Sequence, residues 1–171
     1  QRGGQATLLE ANPRAAAAAR SRGLDVLAGD VESMALSAQY RFDCVAFLDV
    51  LEHLVDPLAA LVKARQIITP DGSLLLSVPN VGHWSVVWDL LQGEFDYQPV
   101  GILCNTHLRF FTRRALERLL GDARFNVERW EDVPSPLPAA FAELLDACPQ
   151  GIAIDRASLA IESFHVLARR D

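Results

Sequence analysis

Hydrophobic residues in this chain fall into short, nearly continuous runs that are separated by stretches with a helical pattern. Apolar runs without polar alternation are typical of strands covered on both faces of a parallel sheet. Four runs therefore predict strands, at Ala6–Ala11, Leu24–Asp30, Arg41–Val50 and Ser73–Asn80. Their alternation with helices predicts an α/β fold, Rossmann-like and doubly wound, with a mostly parallel sheet.

Short polar signals mark where helices and turns interrupt these strands. Asn12 followed by Pro13, and Asp56 followed by Pro57, predict the caps and first residues of two helices. Thr112 is expected to cap a third helix, and the residues TPDG at Thr69–Gly72 are expected to form a turn.

The regular rhythm stops after the fourth strand. Residues 81–111 carry most of the aromatic side chains, begin with a helix near Trp84–Leu91 and continue irregularly. The remaining expected elements are helices at Thr112–Ala123 and Ala139–Ala147, a strand at Phe125–Val133 and an antiparallel C-terminal strand at Glu162–Arg170. We expect one domain over residues 1–171, with a lid-like insertion at about 81–111.

Composition and charge exclude several classes of protein. Half of the residues are hydrophobic and 22% are charged, which is typical of a globular protein. The net charge of -6 gives no electrostatic reason to bind nucleic acid or an anionic membrane. No apolar run approaches the roughly 20 residues that span a bilayer. The three cysteines are widely spaced, which predicts reduced thiols and a cytoplasmic location.

Acidic residues lie at the ends of three of the predicted strands. They are Glu10, Asp30, and the pair Asp49 and Glu52 with His53 beside them. Ligands of parallel α/β sheets bind outside the carboxyl ends of the strands, where an acid can accept both hydroxyls of a ribose. An acid beside a backbone N–H can also pair with the amino edge of adenine. Each acid alone is equally typical of a helix cap or a solvated loop.

Five stretches resemble the class I S-adenosylmethionine-dependent methyltransferases, in the order in which that family has them. They are LLEANPRAAAAAR, VLAGDVESM, FDCVAFLDVLEHLVDP, ITPDGSLLLSVPN and THLRFFTRRALERLL. The central pair is similar to a group that includes ubiquinone-biosynthesis O-methyltransferases and methionine-biosynthesis-associated proteins. PNVGHW with the last stretch resembles bacterial methyltransferases associated with surface polysaccharides.

The resemblance implies a cofactor, a reaction and roles for particular residues. The cofactor is S-adenosyl-L-methionine, and the acceptor is a small molecule, such as the hydroxyl oxygen of a sugar, glycolipid or quinone-like compound. Glu10 matches the acid that holds the ribose hydroxyls, and Asp30, with the backbone of Val31, matches the adenine contact. Leu48 and Asp49 match the segment that lies against the methionine part.

Further residues are candidates for the acceptor side of the reaction. His53 either flanks the following helix or acts as a general base, since an imidazole pKa of about 6.5 suits removal of a hydroxyl proton. A base is optional, because positioning supplies much of the rate of methyl transfer. Trp84 and Tyr97 either line a lid or pack the core. His107 and Arg109 either order their loop or meet an anionic substrate group.

The sequence predicts no metal site. His83, His107, Asp49 and Glu52 include no pair with helical i, i+4 spacing, and no cysteine pair accompanies them. The expected partner is therefore a small-molecule acceptor, without nucleic acid and without membrane insertion. A homodimer is left open.

The family's first strand and its D-x-G-x-G-x-G loop have no counterpart in this sequence. RGGQ, residues 2–5, precedes the second strand of the family directly, the chain begins with Gln1, and its one methionine is Met34. We therefore expect an N-terminally incomplete fragment that alone binds the cofactor poorly, because the absent strand is central in the family's sheet. Two alternatives remain, a non-catalytic remnant used for binding or oligomerisation and a nicotinamide-dependent dehydrogenase.

Overall fold

The computed structural model describes residues 4–36, 40–149 and 151–171. Arg2 and Gly3 of the RGGQ segment lie outside the described residues. The chain divides into two compact units, an N-terminal unit of residues 1–40 and a C-terminal unit of residues 41–171. The single domain and the lid-like insertion expected from the sequence stay predictions.

The N-terminal unit is a β-α-β arrangement with a parallel pair of strands. Asn12 caps its helix as predicted, since its side chain accepts hydrogen bonds from the backbone N–H groups of Arg14 and Ala15 at 2.9 and 3.3 Å. Gly23, at a φ of 82°, follows the end of the helix. The elements are β1 (Thr7–Glu10), α1 (Pro13–Ser21) and β2 (Asp25–Ala28).

The C-terminal unit contains a four-stranded sheet. Its strand order is β3-β4-β6-β5, in which β3 and β4 are parallel and β6 runs antiparallel to both of its neighbours. This confirms the α/β fold with an antiparallel C-terminal strand. The elements are β3 (Phe42–Leu48), a 3-10 turn (Leu51–His53), α2 (Pro57–Ile67), β4 (Ile68–Pro79), α3 (Trp84–Leu91), α4 (Arg113–Asp122), β5 (Phe125–Pro134), α5 (Ala139–Asp146), α6 (Arg156–Leu159) and β6 (Ile161–Arg170).

Strand β4 extends from Ile68 to Pro79, but its pairing with β3 is interrupted at the expected turn, Thr69–Gly72. Phe42 is paired with Ile68, whereas Cys44, two residues later, is paired with Ser73. Four residues of β4 therefore lie opposite Asp43 alone, and a Cβ on Gly72 would lie 2.7 Å from Cγ2 of Ile68. The chain folds back locally there, as the expected turn requires, although the strand begins before the turn and not after it.

The expectation that all strands are covered on both faces is wrong for β3. Leu48 is 62% exposed, and Asp43, Cys44 and Ala46 are exposed as well. Among the described residues β3 pairs with β4 alone, so its other edge has no strand beside it. The apolar run at β3 therefore predicted a strand correctly, but it did not predict how exposed that strand is in this chain.

Helices cover the C-terminal sheet through two groups of apolar side chains. Leu61 of α2 and Leu116 and Leu120 of α4 are fully buried. A second cluster consists of Phe141, Leu145 and Leu159, with Trp84 and Trp88 packed against it. Among the described residues no helix is both long and apolar enough to cross a membrane.

Asn80 fixes the point at which β4 ends. This side chain is 0% exposed, and its Nδ2 donates to the carbonyl oxygens of Ser158 and Ile161, both at 2.8 Å. Its Oδ1 accepts from the backbone N–H of Gly82 at 2.9 Å. One buried amide thus joins the end of β4, the start of β6 and the turn that leads into α3.

We expect Asn80→Ala to lower the free energy of unfolding by at least about 2 kcal/mol, because it leaves several buried backbone groups without a partner. Urea unfolding followed by circular dichroism measures the change. Asn126→Ala is the matched control, since Asn126 is an exposed asparagine that bonds to the side chain of Asp171. Equal losses in the two variants would contradict the role given to Asn80.

Candidate functional site

Two of the acids predicted to hold the cofactor lie where the strands of the N-terminal sheet end. Glu10 is the last residue of β1, and Asp30 follows the end of β2. The backbone N–H of Gly29 donates to the carbonyl oxygen of Glu10 at 3.0 Å, so the chain that leads to Asp30 passes beside Glu10. The parallel pair therefore brings both acids to the carboxyl ends of its strands.

Local hydrogen bonds orient both carboxylates. Oε1 of Glu10 accepts from the backbone N–H of Asn12 at 2.7 Å, where α1 begins. Oδ1 of Asp30 accepts from the backbone N–H of Glu32 at 2.8 Å, and Val31 between them is half-buried. Each acid is thus held by the turn that follows its strand, which is the capping geometry that the sequence also allowed.

Asp49 follows β3 with a strained backbone. Its φ is 52°, in the left-handed region that residues other than glycine rarely adopt. Its N–H donates to the carbonyl oxygen of Ser77 at 3.1 Å and to Oγ of Ser77 at 2.9 Å, and its Oδ1 accepts from the same hydroxyl at 2.7 Å. Strain of this kind persists where the surroundings hold it, and it is concentrated at functional sites.

An open cavity of about 380 Å³ borders Asp49, and Leu48 and Ser77 also line it. Ser77 was not singled out from the sequence, because a serine inside an apolar run gives no signal of a contact with the neighbouring strand. A second cavity of about 330 Å³, bordered by His83, Asp89 and other residues, is lined by none of the predicted site residues. We therefore place the candidate site at the end of β3.

The C-terminal unit brings together Glu52, His53 and His107. The two imidazole rings make an edge-to-face contact with centroids 4.8 Å apart. The carbonyl oxygen of Glu52 accepts from the N–H groups of Leu108 and Arg109 at 2.7 and 3.0 Å. The turn after β3 is thereby joined to the segment that precedes α4. The sequence singled out both histidines but gave no sign that they meet.

The other residues proposed for the acceptor are not all separate from His53 and His107, since Tyr97 packs beside Phe110 and Phe110 contacts the ring of His107. Trp84 packs against Phe141, with centroids 6.3 Å apart, and its Nε1 donates to Oγ of Ser135 at 3.4 Å. Tyr97 is 56% exposed. The guanidinium of Arg109 donates to the carbonyl oxygens of Leu108 and Val55, so it orders its own loop.

Glu52 is the most perturbed carboxyl group near this site. Burial raises its pKa above the ordinary value of 4.5. The negative charge of Asp49 raises the pKa further, while a backbone hydrogen bond within Glu52 and the charge of His53 lower it. A proton is therefore held more tightly in the folded chain than in the unfolded one.

A family model described as "Methyltransferase domain" matches residues 1–129 of this chain. The ubiquinone biosynthesis O-methyltransferase of Psychrobacter cryohalolentis is 26% identical over 95 residues, which cover 56% of this chain and 37% of that protein. The match thus spans little more than a third of the length of that curated relative.

Two solved structures are similar in fold. The [4+2]-cyclase SpnF has a TM-score of 0.63 and 23% identity, over 97% of this chain and 66% of that one. Magnesium protoporphyrin IX methyltransferase from Synechocystis PCC 6803, with bound SAH, has a TM-score of 0.63 and 14% identity, over 99% of this chain and 65% of that one. At these identities the likeness concerns the fold alone.

We expect Glu52→Gln to increase stability at pH 8 and to have less effect near pH 4. The raised pKa means that the folded wild type binds more protons, so its stability falls as the pH rises from about 4.5 through the folded pKa, and glutamine removes this loss. Thermal unfolding in the presence of a metal chelator should show a higher melting temperature for Glu52→Gln than for the wild type at pH 8, and a smaller difference near pH 4. An advantage that grows as the pH falls would contradict the assignment.

Proposed function

Since the chain belongs to the methyltransferase-domain family, we propose that it takes part in S-adenosyl-L-methionine-dependent methyl transfer to a small-molecule acceptor. The observation that carries the proposal is the set of acids at the carboxyl ends of parallel strands, where nucleotide-type cofactors bind in α/β sheets. A cyclase has a similar fold, so the fold alone does not determine the reaction.

Glu10, Asp30 and Val31 are proposed to hold the adenosine part of the cofactor. Glu10 is fixed at the end of β1 by its hydrogen bond from Asn12, and its carboxylate suits the two ribose hydroxyls. Asp30 is oriented at the end of β2 by its bond from Glu32, which leaves it suited to the adenine amino group beside the backbone of Val31.

Leu48 and Asp49 are proposed to meet the methionine part of the cofactor. The side chain of Leu48 is exposed and supplies an apolar surface at the end of β3. Asp49 is a carboxylate held by Ser77 beside the open cavity, and a negative charge there attracts the ammonium group of the methionine. The strained backbone of Asp49 supports a functional and not a structural origin for this geometry.

The proposed reaction is methylation of an acceptor oxygen. When bound, S-adenosyl-L-methionine would supply the methyl group, and its sulfonium sulfur would keep the electron pair of the broken bond. His53 would accept the proton of the acceptor hydroxyl. His53 is exposed at the end of the turn after β3, where a solvent-borne acceptor can reach it. Trp84, Tyr97, His107 and Arg109 are the proposed acceptor contacts. A quinone-like acceptor is supported by the likeness to ubiquinone biosynthesis O-methyltransferases, and a sugar or glycolipid remains the alternative.

Cofactor binding tests the adenosine site. In the complete natural protein we expect Glu10→Ala and Asp30→Ala each to weaken S-adenosylmethionine binding at least about tenfold, because each removes a charge-assisted hydrogen bond of about 1.5–3 kcal/mol. Isothermal titration calorimetry measures the change. Asp25→Ala is the control. Asp25 bonds to Thr7 where β1 and β2 begin, at the other end of the strands from Glu10 and Asp30. Binding of NADH in place of S-adenosylmethionine would support the dehydrogenase alternative instead.

Methyl transfer tests the role of His53. A catechol, a quinol and a hydroxylated sugar are tested as acceptors, with S-adenosylmethionine labelled in its methyl group. We expect the product to carry the labelled methyl group on oxygen. We expect His53→Ala to lower kcat by about 10²-fold without abolishing transfer, since positioning supplies the remainder. Glu117→Gln, on the exposed face of α4, is the control. An unchanged kcat in His53→Ala would remove this residue from the reaction.

A further inference from the structure

We infer that Glu52, His53 and His107 form a binding site for a divalent transition-metal ion of the zinc class. One ligand atom from each side chain lies within 4.8 Å of the other two. The sequence gave no such expectation, because His107 belongs to the segment before α4 whereas Glu52 and His53 belong to the turn after β3. The fold, and not helical spacing, brings the three side chains together.

The carboxylate of Glu52 needs a partner that the described residues do not supply. Glu52 is 1% exposed, and its Oε2 is buried with no hydrogen-bond partner among the described residues. No salt bridge within residues 4–36, 40–149 and 151–171 includes it. Burial of a carboxylate oxygen without a partner is costly, and a cation bound to it removes that cost.

In both histidines the hydrogen bond of Nδ1 leaves Nε2 as the ring nitrogen that can bind such an ion. Nδ1 of His53 lies 3.0 Å from the carbonyl oxygen of Thr106, and Nδ1 of His107 lies 2.9 Å from that of Ile102. A carbonyl oxygen only accepts, so Nδ1 carries the proton in each neutral ring and Nε2 keeps its lone pair. A bond from the second ring nitrogen to a carbonyl is the usual support of a metal-binding histidine.

The backbone already holds the two ligand-bearing segments together. Leu108 and Arg109 donate to the carbonyl oxygen of Glu52, and the N–H of His107 donates to the carbonyl oxygen of Cys104 at 2.9 Å. Ligands that lie about 2.1 Å from a zinc ion are about 3.4 Å apart in tetrahedral geometry. Closure around an ion therefore needs side-chain movements on the order of 1 Å and no rearrangement of the chain.

The set of ligands selects the class of ion. Two imidazoles and one carboxylate are the protein ligands of many zinc sites that keep a further position open, whereas Mg²⁺ and Ca²⁺ prefer oxygen ligands throughout. The inference goes beyond the proposed function, since the ion is expected to bind without cofactor or acceptor. If an ion is bound, His53 acts as its ligand, and an acceptor hydroxyl in the open position loses its proton more easily.

Titration of the complete natural protein with Zn²⁺ and Co²⁺ tests the site. Replacement of Cys44, Cys104 and Cys148 by serine in all samples removes thiolates, and prior treatment with a chelator removes bound ions. We expect one ion per chain by calorimetry and visible Co²⁺ absorption. His53→Ala and His107→Ala should each weaken binding at least about 100-fold. His165→Ala and Glu117→Gln, both exposed, are the matched controls and should leave binding unchanged.

His53→Ala is the decisive variant for metal binding, because His53 is exposed and its truncation leaves no buried cavity. Its thermal unfolding in chelator should equal that of the controls, which separates loss of binding from loss of folding. The inference is overturned if no ion binds, if the two histidine variants bind as tightly as the controls, or if Mg²⁺ binds as tightly as Zn²⁺. S-adenosylmethionine binding, measured in the same samples, reports on the proposed function independently.

Discussion

The carbonyl oxygen of Glu52 is the point on which the chemistry of the C-terminal unit depends. Its hydrogen bonds from Leu108 and Arg109 fasten the irregular, aromatic segment to the turn after β3. Together with the bond between Nδ1 of His53 and the carbonyl oxygen of Thr106, they fix the position of His107 relative to His53. The guanidinium of Arg109 adds a bond to the carbonyl oxygen of Val55. Because a buried carbonyl must be paired, this contact is enforced by the same rule that forms secondary structure. The strands thus position a site, formed by His53 and His107, whose residues lie outside the strands.

Polar groups in both units are placed by strand direction. Parallel strands end at the same edge, so the acids that follow them are gathered there without any need for proximity in sequence. Glu10 and Asp30 illustrate this in the N-terminal unit, and Asp49 with Ser77 illustrates it in the C-terminal unit. Each carboxylate is held by a turn or by the neighbouring strand, which limits the reorganisation that ligand binding requires. The chain belongs to the methyltransferase-domain family, and the proposed function of these acids is to bind the cofactor.

Local signals in the sequence predicted local structure well. The caps at Asn12, Asp56 and Thr112 are all confirmed, because a cap is decided by one side chain and the N–H groups that follow it. Contacts between distant segments were not predictable. These contacts include the bonds of buried Asn80 to Ser158 and Ile161, the bond between Ser77 and Asp49, and the ring contact of His53 with His107, all of which depend on tertiary packing. The sequence also did not indicate that β4 begins before the turn at Thr69–Gly72, because Pro and Gly can interrupt a strand as well as precede one.

Hydrogen exchange of the complete natural protein, measured by mass spectrometry with and without S-adenosylmethionine, tests the central claim most directly. That claim is that the acids which follow β1, β2 and β3 contact S-adenosylmethionine. It predicts slower exchange on cofactor addition in three segments, those that follow β1, β2 and β3 at Glu10, Asp30 and Asp49, and no such change with NADH. Protection by NADH instead, or protection confined to other segments, would contradict it.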